Sequence, residues 1–158
     1  MNGIMNGVSA DEFAPNGLVN RAMVVTTLWR LEGSPEVANA PAFTDVAGSE
    51  WYAKAVAWAA AKGIVNGMGD GTFAPLDAVT REQVAAMLNR YADFKGWKVE
   101  AKDTEAYIHS AWSAANVDWA DTVGLFDGLG VNVTDLTKSA NRAELAAYLT
   151  NFMQNVAK

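Results

Sequence analysis

Three arginines occupy matching places in this chain. Arg21, Arg81 and Arg142 each follow a residue able to cap a helix, Asn20, Thr80 and Asn141, and each opens an apolar stripe of helical spacing. A cation in the first turn of a helix meets the positive end of the macrodipole, an unfavourable placement by about a few tenths of a kcal/mol. Helix stability does not ask for arginine there, so its recurrence points to another task. Exposed N–H groups at a helix start beside a guanidinium form a local anion site, and the planar fork suits carboxylate or phosphate. The structural alternative is a salt bridge to a neighbouring copy, for instance to Asp45 or Glu50, and the two roles can coexist.

The arginines belong to an internal repeat. Adding sixty to Gly3, Ile4, Asn6, Gly7, Phe13, Ala14, Pro15, Val19, Arg21, Val24, Leu28 and Arg30 lands each time on the same residue type. A third, worn copy follows at an offset of sixty-one, pairing Trp51 with Trp112, Trp58 with Trp119, Gly63 with Gly124 and Arg81 with Arg142. A period of this size means supersecondary units that share a core. Each copy reads as helix, loop, helix. In the middle copy Ser49 is the expected N-cap of the first helix, Trp51, Ala55, Val56, Trp58 and Ala59 form its apolar stripe, and Gly63 stops it in a left-handed cap. The corresponding third-copy helix spans Trp112 to Val123. A glycine-dense loop, Gly67 to Gly71, leads to the second helix, which starts with a capping box at Thr80 and Gln83, matched by Asn141 and Glu144. Its core stripe is Val84, Met87, Leu88 and Tyr91, equivalent to Val24, Thr27, Leu28 and Leu31 and to Leu145, Tyr148, Leu149 and Phe152.

Composition bounds the possibilities. The chain has 158 residues, about half of them apolar, enough for one domain with a sizeable core. Its net charge of −6, with acids and bases interspersed, gives no bulk attraction to nucleic acid or an anionic membrane. The absence of cysteine removes disulfides and thiolate chemistry. No apolar run reaches the roughly 20 residues of a membrane span, and no signal sequence precedes the first copy, so an exported protein would carry its signal upstream. Met1 falls inside a motif, as expected for a piece of a longer chain. Of the six Trp, Trp58 and Trp119 fall on the core stripe, Trp51 and Trp112 could be core or sugar-stacking surface, and Trp29 is expected to make a local contact.

The middle copy, Phe43-Thr44-Asp45-Val46, Trp51-Tyr52, Gly63-Ile64-Val65-Asn66-Gly67, Gly69-Asp70-Gly71-Thr72-Phe73, Pro75 and Thr80-Arg81-Glu82, resembles the S-layer homology (SLH) domain. The first copy lacks its first half, and the third has Thr134-Asp135-Leu136 where Phe-x-Pro should stand. The resemblance implies an all-α fold of tandem helix-loop-helix repeats in a pseudo-threefold, three-pronged spindle around a central helical bundle. It makes residues 1–158 one domain, with copies at 1–33, 43–96 and 103–158. It also implies non-covalent anchoring of a larger exported protein to the bacterial cell surface through secondary cell-wall polysaccharide of the pyruvylated amino-sugar type, or through peptidoglycan itself. Carried over by position, the glycan-binding residues are Arg81, Asp45, Trp51 and Gly67, then Arg21, Arg142 and Trp112. Replacing Arg81 is then expected to weaken glycan binding and leave melting nearly unchanged. No cofactor or membrane insertion is implied.

Other classes find less support. The loop from Asn66 to Asp77 has Met68 in the third ligand position of a calcium loop, and the first copy has Ala10 where Asp70 stands. The single histidine, His109, lies in the worn copy with no recurring acidic pair, which argues against an enzyme. Asn132-Val133-Thr134 fits a glycosylation acceptor, a pattern too short to use. The competing function is a protein-interaction module that docks a partner or the rest of a longer surface-protein chain.

Overall fold

The computed structural model describes residues 17–37, 42–68, 70–128 and 134–157. The first-copy Gly-Ile-x-Asn-Gly and Phe-x-Pro elements, Gly69 and the Asn132 acceptor lie outside them. The described residues form five α-helices: α1 (Arg21–Leu31), α2 (Ala53–Ala61), α3 (Arg81–Lys95), α4 (Ala114–Thr122), preceded by a 3-10 turn at Ala111–Ser113, and α5 (Arg142–Asn155). No strand longer than an isolated bridge occurs among them, so the fold is all-α.

The chain divides into two compact units, one of residues 1–13 and 20–78, the other of residues 14–19 and 79–158. In the first, α1 packs on α2; in the second, α3 packs on α4 and on the 3-10 turn. Helices therefore pair across the sequence repeat: the second helix of one copy lies on the first helix of the next. Val24, Thr27 and Leu28 are buried in the first unit with Val56, Trp58 and Ala59. Leu31, the last residue of the expected stripe, is only half-buried, at the end of α1. In the second unit Tyr91, Trp97 and Trp119 surround Phe152, with ring centroids 5.9 to 6.2 Å from it. Trp29 makes the local contact, donating from Nε1 to the Pro35 carbonyl at 2.8 Å.

The start signals of α1, α3 and α5 act as their sequences predict. Asn20, Thr80 and Asn141 cap these helices in extended backbone, each with a reciprocal bond from the third helical residue. Gly63 follows α2 with φ of +73°, the left-handed conformation that glycine adopts most easily. The start of α2 differs from expectation. Ser49 does not cap it; Tyr52 holds the cap position, without a side-chain bond. The physical reason is a pair of tight turns, in which Glu50 N–H donates to Ala47 C=O and Ala53 N–H to Glu50 C=O. They feed the chain into the helix directly, leaving Ser49 and Trp51 ahead of it.

Within the second unit three equivalent positions of the repeat close a ring of backbone bonds. Val19 N–H donates to Ala140 C=O, Ala140 N–H to Val79 C=O, and Val79 N–H to Val19 C=O, at 2.9 to 3.1 Å. All three side chains are fully buried. A short segment from each copy thus pairs with the other two just before the helix that carries the arginine.

Candidate functional site

Arg21 and Arg81 each reach into the loop of the copy that follows. Arg21 donates from Nε to Phe73 C=O at 2.9 Å and from Nη2 to Asn66 C=O at 3.3 Å, with its guanidinium carbon 4.6 Å from the Phe73 ring centroid. Arg81 donates from Nη1 to Asp135 C=O at 2.9 Å and forms an ion pair from Nη2 to Glu144 Oε2 at 2.7 Å. The side chains of that pair are only 15% and 9% exposed. The salt-bridge role anticipated for an arginine is real, but the partner of Arg81 is Glu144. Arg142 is buried as well.

The free helix N–H groups expected beside these arginines are already used. Arg21 and Ala22 donate to the carbonyls of Asp77 and Pro75, and Arg81 and Glu82 to those of Lys138 and Leu136. Arg142 N–H donates to Gly17 C=O. The next donors in line, on Met23, Gln83 and Glu144, go to the capping side chains. Docking each helix start on a loop of another copy satisfies donors that would otherwise be orphaned. At these helix starts those backbone donors are committed to carbonyls and capping side chains, which leaves the guanidinium groups as the cationic feature of the arginine positions.

Asp45 and Gly67 shape the loop. The Asp45 carboxylate accepts from the N–H groups of Phe73 and Ala74, both at 2.8 Å. Burial pushes the Asp45 carboxyl upward, but those donors outweigh it and hold the group below its ordinary 3.8. Ala74 has φ of +58°, an uncommon conformation for a residue with a side chain, and the Asp45 bond helps to fix it. A depressed folded value means that Asp45 stabilises the fold above its unfolded value and that this contribution is lost as pH falls through the folded one. Asp45→Asn is therefore expected to flatten the acid limb of the stability–pH curve below about pH 4; an unchanged limb in urea titrations across that range would remove Asp45 from this role. At Gly67 a Cβ atom would stand 2.5 Å from Phe43 Cε1 and 2.7 Å from the Thr72 carbonyl oxygen, so the approach excludes any side chain.

Trp51 and Trp112 are not core residues. They are 55% and 54% exposed, whereas Trp58 and Trp119 are buried. Two indoles at equivalent positions thus stand in solvent where burial would favour folding. In the chain, Trp51 lies between Gly48 and Ala53, which with Phe43, Val46 and Val56 line an apolar pocket of about 230 Å³ in the first unit.

Glu82 is a buried residue that the repeat did not reveal. Both its carboxylate oxygens lie within 3.1 Å of Ser110 N, and Oε2 accepts from Ser113 Oγ at 3.2 Å, which caps the 3-10 turn before α4. Its equivalents are Ala22 and Ala143, so no recurrence marks it. Among the described residues no cluster of three or more acidic or histidine side chains could hold a metal ion. Asp70, the acid of the calcium-like loop, accepts from both the N–H and the hydroxyl of Thr72. His109 is half-buried, with Nδ1 2.7 Å from the Ser110 carbonyl oxygen. No helix among the described residues is long and apolar enough to cross a membrane.

The S-layer homology domain model matches residues 1–22 and 42–85, within the first copy and over most of the second. The chain is 28% identical to an amylopullulanase of Thermoanaerobacterium thermosulfurigenes, with 96% of this chain and 8% of that protein aligned. It is 35% identical to an endoglucanase of Bacillus sp. (strain KSM-635) over 58% of this chain and 10% of that protein. It is 26% identical to the surface-layer 125 kDa protein of Lysinibacillus sphaericus over 98% of this chain and 13% of that protein. The chain thus spans a small part of each of these relatives, and that part is shared by two enzymes of different name and a surface-layer protein. With the arginine, capping and glycine-loop signature in place, the chain belongs to the S-layer homology domain family.

Proposed function

We propose that this chain is a non-catalytic module that anchors a larger exported protein to the bacterial cell envelope, at the cell surface or in the S-layer, by holding secondary cell-wall polysaccharide of the pyruvylated amino-sugar type. One observation carries the proposal beyond family membership: Trp51 and Trp112 are more than half exposed at the same position of two copies. An indole face in solvent presents the flat apolar surface on which a sugar ring stacks. The apolar pocket formed by Phe43, Val46, Val56 and their neighbours suits a methyl group of an acetamido or ketal substituent. Asp45 and Gly67 serve the glycan by holding the loop in shape. Arg81, Arg21 and Arg142 supply the positive charge for an acidic sugar.

The test is binding of the isolated wall polymer by the Trp51→Ala and Trp112→Ala variants and by their combination. Each single change is expected to weaken binding about tenfold, as for loss of an aromatic contact of about 1.4 kcal/mol. Stability should change by no more than about 0.5 kcal/mol, because the rings are exposed. Binding by the double variant equal to that of the parent chain would refute the stacking role.

A further inference from the structure

The three copies solve the same capping problem with three different side chains, and only one of them carries a charge. At the third helical residue Met23 Sδ accepts the Asn20 N–H at 3.5 Å, Gln83 Oε1 accepts the Thr80 N–H at 2.9 Å, and Glu144 Oε1 accepts the Asn141 N–H at 3.0 Å. Capping needs an acceptor at this place and not an anion. In Glu144 the second oxygen, Oε2, is left over, and it lies 2.7 Å from Nη2 of Arg81. The guanidinium that would receive an acidic sugar therefore already holds a carboxylate from its own chain.

Two further groups mark this spot. Arg81 Nε and the hydroxyl of Tyr148, one helical turn after Glu144, are buried and make no hydrogen bond among the described residues. Tyr148 is fully buried, and Glu144 and Arg81 both act on its hydroxyl electrostatically. Buried donors of this kind are normally matched by an acceptor. The surroundings of the Arg81–Glu144 pair thus offer donor capacity that Glu144 does not use.

We infer that Glu144 is a specificity-determining residue of this module: its carboxylate occupies the Arg81 fork as an internal counter-ion and sets how strongly a carboxylate-bearing sugar is held there. The inference rests on the reading of Arg81 as an anion receptor given under Proposed function. An external carboxylate gains only the difference between its own contacts and those of Glu144, which makes the wild-type site a weak one. Removing the charge while keeping the cap opens it, and the chain itself supplies the replacement, since glutamine does this work at position 83.

The probe is pyruvate, titrated at constant ionic strength against the full chain and against Glu144→Gln, with the side-chain Nε–H resonance of Arg81 followed by NMR. The Glu144→Gln variant should show a saturable shift with an apparent affinity at least about tenfold tighter than the parent chain, the gain of a charge-assisted bond no longer opposed by an internal one. Glu144→Met, which copies position 23, should respond in the same direction and guards against a glutamine-specific effect. Helical circular dichroism confirms that each variant is folded. Equal responses in parent and variants would show that Glu144 does not control the fork. No response in folded variants would show that Arg81 is a structural clamp only. Either result overturns the inference. Sedimentation with wall polymer, run in parallel, reports on anchoring independently: a chain that binds no polymer yet shows the pyruvate difference would retain the inference and lose the anchoring function.

Discussion

Arg81→Ala is expected to lower the unfolding free energy by about 3 kcal/mol, because it leaves Glu144 as an uncompensated, largely buried charge. The sequence alone suggested the opposite, a change in binding with melting nearly unchanged. The difference comes from the environment of the pair: the two side chains are 15% and 9% exposed, and Arg81 also holds the Asp135 carbonyl that positions the third-copy loop. The loss should appear as a shift of the urea midpoint at unchanged slope, and as a fall in melting temperature of about 6–12 °C for a chain of this size. A second substitution separates the charge from the packing. Arg81→Met combined with Glu144→Met removes both ions together and should recover most of the loss, since an apolar pair of similar volume is often as stable as a buried ion pair. A single Arg81→Ala variant within about 0.5 kcal/mol of the parent would mean that the pair is solvated and contributes little.

The second large effect is expected at Gly67. A methyl group there would meet the Phe43 ring and the Thr72 carbonyl oxygen, at 2.5 and 2.7 Å. The ring can turn, but the carbonyl is held by Met68 N–H at 2.8 Å, so the backbone itself must move. Gly67→Ala should cost about 2 kcal/mol, in the range of overpacked cores. The damage is local in origin: the Asp45 bonds to Phe73 and Ala74 secure the same loop. Amide exchange at Phe73 and Ala74 should therefore accelerate more than at the α3 core positions Val84 and Leu88. Uniform acceleration across both regions would indicate global destabilisation without loop release.

These two residues show what sequence reveals and what it hides. The arginine at the first helical position, the capping boxes and the apolar stripes are legible because their determinants lie within a few residues of one another. Gly63 is legible for the same reason, as the local end of α2. The partners of the arginines are not: Arg21 binds carbonyls 45 and 52 positions away, and Arg81 one 54 positions away. The repeat period shows that copies share a core but not that Arg21 and Arg81 enter the loop of another copy. The same tertiary contacts consume the helix N–H groups that seemed free for an anion. Backbone carbonyls carry no side-chain identity, so no residue type could announce them. Glu144 left a faint signal in the change from Met23 to Gln83 to Glu144 at one register position. For Trp51 and Trp112, spacing placed them near the start of a first helix, and only the turns ahead of α2 and α4 set them in solvent.

Anchoring to the envelope is tested most directly by co-sedimentation of the chain with purified bacterial cell-wall sacculi, before and after acid extraction of the secondary polymer. A wall-polysaccharide anchor should pellet with intact sacculi and remain in the supernatant once the polymer is gone. Pelleting that survives extraction would contradict the secondary-polymer assignment and point to peptidoglycan, and a chain that never pellets would contradict anchoring by glycan altogether.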